Sequence, residues 1–187
     1  MPQKSIFAII IVFAFQSFTI SNELFDKYYK SLDLLSLPLI LDCRKSVDYP
    51  DYSRISNELI EKYTPPGHKT LGRIELNRNL ISIIHLAQAE TEVPMIYNYK
   101  LDGTPVDTIC IQSGSCEMNP EYDAHAITII ERNKAITMID SMTYYKLDKN
   151  YERIQQDSIV IRKWTCKMDN NGILIKSLII LHTKENK

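Results

Sequence analysis

Two periodicities divide the chain. In its first third, apolar residues recur at helical steps: Phe25, Tyr28, Leu32 and Leu35 lie three or four positions apart. With Asn22 placed to cap the segment and Pro38 to end it, the spacing predicts a helix over 23–35. Ile55, Leu59, Ile60 and Tyr63 form a second stripe. Ser56 to Tyr63 therefore reads as a helix, capped by Ser56 or Asn57 and stopped by Pro65-Pro66-Gly67. Residues 39–51 read as an irregular connection. From Leu71 onward, short runs rich in Ile, Val, Thr and Tyr alternate with turn residues, the pattern of antiparallel strands. The predicted strands are Gly72–Leu76, Leu80–Leu86, Met95–Lys100, Val106–Gln112, Ala126–Glu131, Ala135–Asp140, Ser158–Lys167 and Ile173–His182, with Thr143–Leu147 continuing the sheet. Asp102-Gly103 and Asn171-Gly172 mark hairpin turns, because these residues accept positive φ at little cost.

This pattern predicts an α+β fold: mainly an antiparallel β-meander sheet, open or curled into an open barrel, with one or two short N-terminal helices over a face or an end. A Lys-apolar-Asp step closes three strands, at Lys100, Lys146 and Lys167. The spacings are unequal, so the chain is not a solenoid or propeller of fixed period.

The N-terminus has a separate character. Lys4 precedes an uncharged apolar run, Ile6 to Phe15, and small polar residues follow at Ser17, Thr19 and Ser21. This is the layout of a secretory signal peptide. The run is shorter than the roughly twenty residues of a membrane span. The expected organisation is a signal peptide over 1–21 and one β-rich domain over 22–187, split into a helical or irregular part (22–66) and the sheet (71–182). No cysteine follows the apolar run before Cys43, so the expected product is a soluble exported protein, periplasmic or extracellular, without a lipid anchor and without stable membrane insertion.

Charge narrows the choice of partner. The net charge is −1 and no block of like charges occurs, so nothing steers the chain to nucleic acid. The five glycines form no phosphate-binding loop. Four cysteines, Cys43, Cys110, Cys116 and Cys166, are consistent with two disulfides in an exported chain, and three pairings are open. Cys110 with Cys116 would close a small loop, leaving Cys43 with Cys166 as a long-range staple.

Candidate chemistry is sparse. His125 opens one predicted strand and Asp140 closes the next. Paired around Arg132–Lys134, the two fall at the same end of a hairpin, where a carboxylate would orient an imidazole. The stretch is similar to the His-plus-Asp half of papain-like cysteine peptidases. That similarity would make Cys43 the nucleophile, with Arg44 and Lys45 favouring its thiolate. No oxyanion-type Gln motif precedes Cys43, no Gly follows it, and Pro50 limits any helix it would begin. The histidines are scattered and Cys110 and Cys116 are too far apart for a zinc knuckle, so no metal and no cofactor are expected.

Binding is the stronger expectation. The segment from Ser113 to Asp123 is the longest irregular stretch of the sheet region, and loops on rigid sheets often carry recognition. Glu117, Tyr122 and Asp123 are its candidate contacts, and Trp164 is a further one for a protein or glycan partner.

Two stretches carry a broader resemblance. Pro94–Gly103 with Val106-Asp107, and Ala135–Asp140 with Tyr145–Asp148, resemble short exported β-rich meander proteins of Gram-negative bacteria over about residues 71 to 175. The resemblance implies a fold and no activity. The expected function is a non-enzymatic binding module of the cell envelope. The alternatives are a thiol hydrolase using Cys43, His125 and Asp140, and a periplasmic inhibitor acting through the 110–123 loop.

Overall fold

The computed structural model describes residues 23–89, 91–112, 114–168 and 174–184. The expected signal peptide and the Asn171-Gly172 turn lie outside these.

The first helix, α1, spans 23–31 and buries the expected stripe of Phe25, Tyr28 and Leu32. It stops short of residue 35 because the chain there turns extended. The Leu35 amide donates to the Arg73 carbonyl at 2.9 Å, and the Arg73 amide donates to the Asp33 carbonyl at 2.9 Å. Gly72 permits this approach: a Cβ there would lie 2.8 Å from the Asp33 oxygen. The second helix, α2 (Asn57–Tyr63), buries no residue completely and rests Leu59, Ile60 and Tyr63 against the cluster around α1.

The strands are antiparallel, the sheets are open and consecutive strands meander as expected, but they divide between two sheets rather than forming one. One contains β2 (His68–Ile74), β3 (Leu80–Ala87), β4 (Val93–Lys100) and β5 (Pro105–Cys110) in sequential order. The other has the order β1-β6-β7-β8-β9, formed by β1 (Leu39–Asp42), β6 (Tyr122–Ile130), β7 (Ile136–Leu147), β8 (Arg153–Met168) and β9 (Leu174–Lys184). The segments Ala135–Asp140 and Thr143–Leu147 merge into the single long strand β7. Strand β1 falls in the segment read as irregular: four residues carry too little pattern to register alone, and pairing with β6 supplies the rest.

The layers explain the sequence of β3, where six consecutive residues are buried. Ile81 and Ile83 face α1, while Ile84 and Leu86 face the five-stranded sheet, joining Leu41, Ile130, Ile136 and Met138 in the core. The four-stranded sheet is thus the middle layer, covered on both sides, and its central strand reads as continuous apolar sequence. Between β5 and β6 the chain crosses from one sheet to the other. Ile111 pins this crossing: it is fully buried, its amide donates to the Pro94 carbonyl at 3.0 Å, and its own carbonyl accepts the Thr128 hydroxyl.

Candidate functional site

At the crossing, β1 and β6 bring a small polar cluster together. Asp42 stands opposite Ile127, so strand alternation places Asp42 and His125 on the same, outer face. The His125 Nε2 lies 2.7 Å from the Asp42 Oδ1. The Arg44 amide donates to the same oxygen at 3.0 Å, and the Lys45 ammonium is 3.7 Å from the other. Burial pushes the Asp42 carboxyl up. The His125 bond, the Arg44 amide and the Lys45 charge outweigh it and hold the group below its ordinary value.

The next residue is Cys43. Its amide donates to the Ala126 carbonyl at 3.1 Å, and its sulfur accepts the Ala126 amide at 3.2 Å. The Cys43 Sγ, one Asp42 oxygen and one His125 nitrogen all lie within 4.8 Å of one another. The sulfur is bonded to Cys116. It is therefore not a thiolate here, and the trio is not a zinc-type donor set. A cleft of about 370 Å³ opens beside Cys43, lined also by Leu41, Val47, Leu86 and Pro94.

Asp140 is not the carboxylate that meets His125. The β6–β7 register pairs Ala126 with Asp140 and His125 with Ser141. His125 and Asp140 reach the same end of the hairpin, as expected, but one position out of step, so their side chains leave opposite faces of the sheet. Asp140 is buried beneath the crossing, where a Cβ on Gly114 would strike its carboxylate at 2.2 Å. Burial raises the Asp140 carboxyl, opposed by Arg162 at 3.6 Å.

The disulfide differs from both expected pairs. Neither Cys110–Cys116 nor Cys43–Cys166 forms; the bond is Cys43–Cys116, closing a separation of 73 residues. Cys166 sits on β8, three strands from β1. At about 4.8 Å per strand that is roughly 14 Å, beyond the reach of a disulfide. Cys110 is exposed at the four-stranded sheet's edge, its thiol directed to the Gln112 carbonyl at 3.4 Å.

The candidate binding residues of the 110–123 loop are engaged with their own neighbours. Asp123 receives two hydrogen bonds from Arg153, at 2.6 and 3.1 Å, and one from the Tyr145 hydroxyl at 3.0 Å. The same guanidinium donates to the Asn119 and Pro120 carbonyls and stacks 3.9 Å above the Tyr145 ring. The Arg153 bond is the main reason the Asp123 carboxyl lies below its ordinary range. Glu117 accepts the Tyr122 hydroxyl at 2.9 Å. The loop is thus held by the disulfide on one side and Arg153 on the other, leaving Met118 in solvent. Trp164 packs against the core between the sheets.

A further feature of the described residues is an open sheet edge. Among the described residues, strand β9 is the edge of the five-stranded sheet, paired only with β8. Leu178, Ile179, Ile180 and Leu181 follow one another along it, each more than half exposed. Consecutive strand residues point to opposite faces, so β9 is bare on both. The apolar run itself was legible; its place beyond the reach of the covering sheet was not.

No protein-family model, no curated protein and no solved structure matches this chain.

Proposed function

We propose that this protein is an exported binding protein that takes an extended segment of a partner protein as an added strand along β9. The observation that carries this reading is the Leu178–Leu181 run, bare on both faces of an open sheet edge. Edges of this kind are normally blunted by charge, proline or a covering element, and apolar patches left open mark interaction sites. Strand addition satisfies the free backbone groups and buries the apolar side chains together.

The charge of the β8–β9 ribbon indicates the partner's character. Residues 158–168 and 174–184 carry Arg162, Lys163, Lys167, Lys176 and Lys184 and no acidic residue. An apolar strand with acidic flanks complements this, whereas a second copy does not. Antiparallel pairing centred on Ile180 would set Lys176 of one strand opposite Lys184 of the other, twice. Export is supported by the signal-like N-terminus and by a disulfide, a bond that persists outside the cytoplasm.

The test is amide hydrogen exchange across β9 with two synthetic peptides sharing an apolar core, one flanked by Glu and one by Lys. Selective protection by the Glu-flanked peptide, lost in Ile180→Pro, supports the reading. Equal protection by both peptides, or by neither, refutes it, as does a dimer in which β9 pairs with itself.

A further inference from the structure

We infer that the Cys43–Cys116 disulfide is an exchange site that oxidises dithiols of other proteins, with Cys43 as the sulfur attacked and later released. Cys43 lines the cleft next to β1 and is partly exposed, the side from which an incoming thiolate would approach. Its attack forms a bond to Cys43 Sγ and breaks the bond to Cys116, which leaves as a thiolate and takes up a proton. The second thiolate of the substrate then attacks its own first sulfur and releases Cys43 as a thiolate. The substrate dithiol loses two electrons and two protons and closes a disulfide; Cys43 and Cys116 gain them. One turnover consumes the protein's disulfide, and no further reactant is required.

The surroundings of Cys43 suit it to leave. The Ala126 amide already donates to its sulfur at 3.2 Å, and a His125 nitrogen and an Asp42 oxygen both lie within 4.8 Å of it. Asp42, bonded to His125 at 2.7 Å, orients that ring. The other charged or titratable groups near the cleft are Arg44, Lys45 and the Tyr49–Glu92 pair. Reactive cysteines occupy such partly exposed sites, beside a cation and a backbone donor. Stabilising the released thiolate favours the reduced form, which makes the disulfide the stronger oxidant. The cleft's Leu41, Val47, Leu86 and Pro94 offer an apolar wall to the residues around a substrate cysteine.

The experiment uses the full chain with Cys110→Ser, which removes the exposed thiol. Native protein is equilibrated with reduced and oxidised glutathione at pH 7, quenched with acid, alkylated and mapped by mass. The expected result is a glutathione adduct on Cys43 and an equilibrium that His125→Gln moves at least tenfold toward the protein disulfide. Asp42→Asn moves it the same way by a smaller factor, and stands in if His125→Gln does not fold. Oxidation of a reduced dithiol peptide slows in parallel. An adduct on Cys116, equilibria unchanged within threefold, or exchange that occurs only after unfolding overturns the inference.

Discussion

Asp42 and His125, separated by 83 residues, meet at 2.7 Å because β1 pairs with β6 rather than with its sequence neighbours. The contact fixes the ring of His125 beside the Cys43 sulfur and ties the first strand to the hairpin of β6 and β7. Its energetic signature is dependence on acid. The folded-state pKa of Asp42 lies below its ordinary 3.8, so the carboxylate's contribution is fully present above 3.8 and is lost as pH falls below it. Asp42→Asn is expected to lower stability at pH 7 by about 1 kcal/mol. The difference from the parent should shrink below pH 3.8. Thermal melts of both proteins from pH 7 to pH 2 measure it.

His85 acts in a different range. It is fully buried, its Nδ1 is 3.1 Å from the Thr70 hydroxyl, and its Nε2 has no hydrogen-bond partner among the described residues. Burial, with the nearby His68 charge, pushes its pKa from 6.5 down to about 3. Between those values the unfolded chain binds a proton that the folded protein does not, so stability falls as pH drops from 6.5 toward 3, by up to about 1.4 kcal/mol per unit. His85→Leu is expected to flatten that slope. Urea titrations at pH 7, 6, 5 and 4 read it, and an unchanged slope in the variant would sink the assignment.

Replacing Cys43 and Cys116 together by Ser opens a loop closed over 73 residues. The expected loss is about 2–4 kcal/mol of stability. Exchange protection should fall locally, along β1 and the 114–121 loop, before it falls in the core of β3. Equal losses everywhere would mean that the bond stabilises only by constraining the unfolded chain.

Gly103 turns the β4–β5 hairpin at a φ of 83°, and a Cβ there would lie 2.7 Å from the ring of Phe25. Gly103→Ala therefore meets both backbone strain and an immovable core aromatic. A loss of about 1–3 kcal/mol is expected, and denaturant unfolding tests it. Asn in its place tolerates the backbone but enlarges the clash, so it should fare no better than Ala.

Arg153 concentrates the hold on the segment leading into β6. Arg153→Ala removes the donors to Asp123, Asn119 and Pro120 together. Hydrogen exchange at 117–123 is expected to rise at least tenfold while the protection of β3 is unchanged. Conversion to Lys should recover little, because an ammonium cannot reproduce the planar fork.

What the sequence determined by itself is local. The stripe of Phe25, Tyr28 and Leu32 specifies a helix face, and Asp102-Gly103 between two apolar runs specifies a hairpin, since period and turn chemistry act over a few residues. The antiparallel character of the fold followed from such segments. Distant pairings were decided only in three dimensions. Leu39–Asp42 becomes a strand because β6 offers it an edge, and the long apolar β3 declares its meaning only once layers cover both faces. Site geometry is more sensitive still. His125 and Asp140 approach in sequence logic, yet a single step of register sends them to opposite faces and leaves Asp42 to meet the histidine. Cysteine pairing depends in the same way on which strands become neighbours. Side chains alternate every residue along a strand, so a shift too small to alter the hydrophobic pattern of a hairpin's end reverses which groups touch.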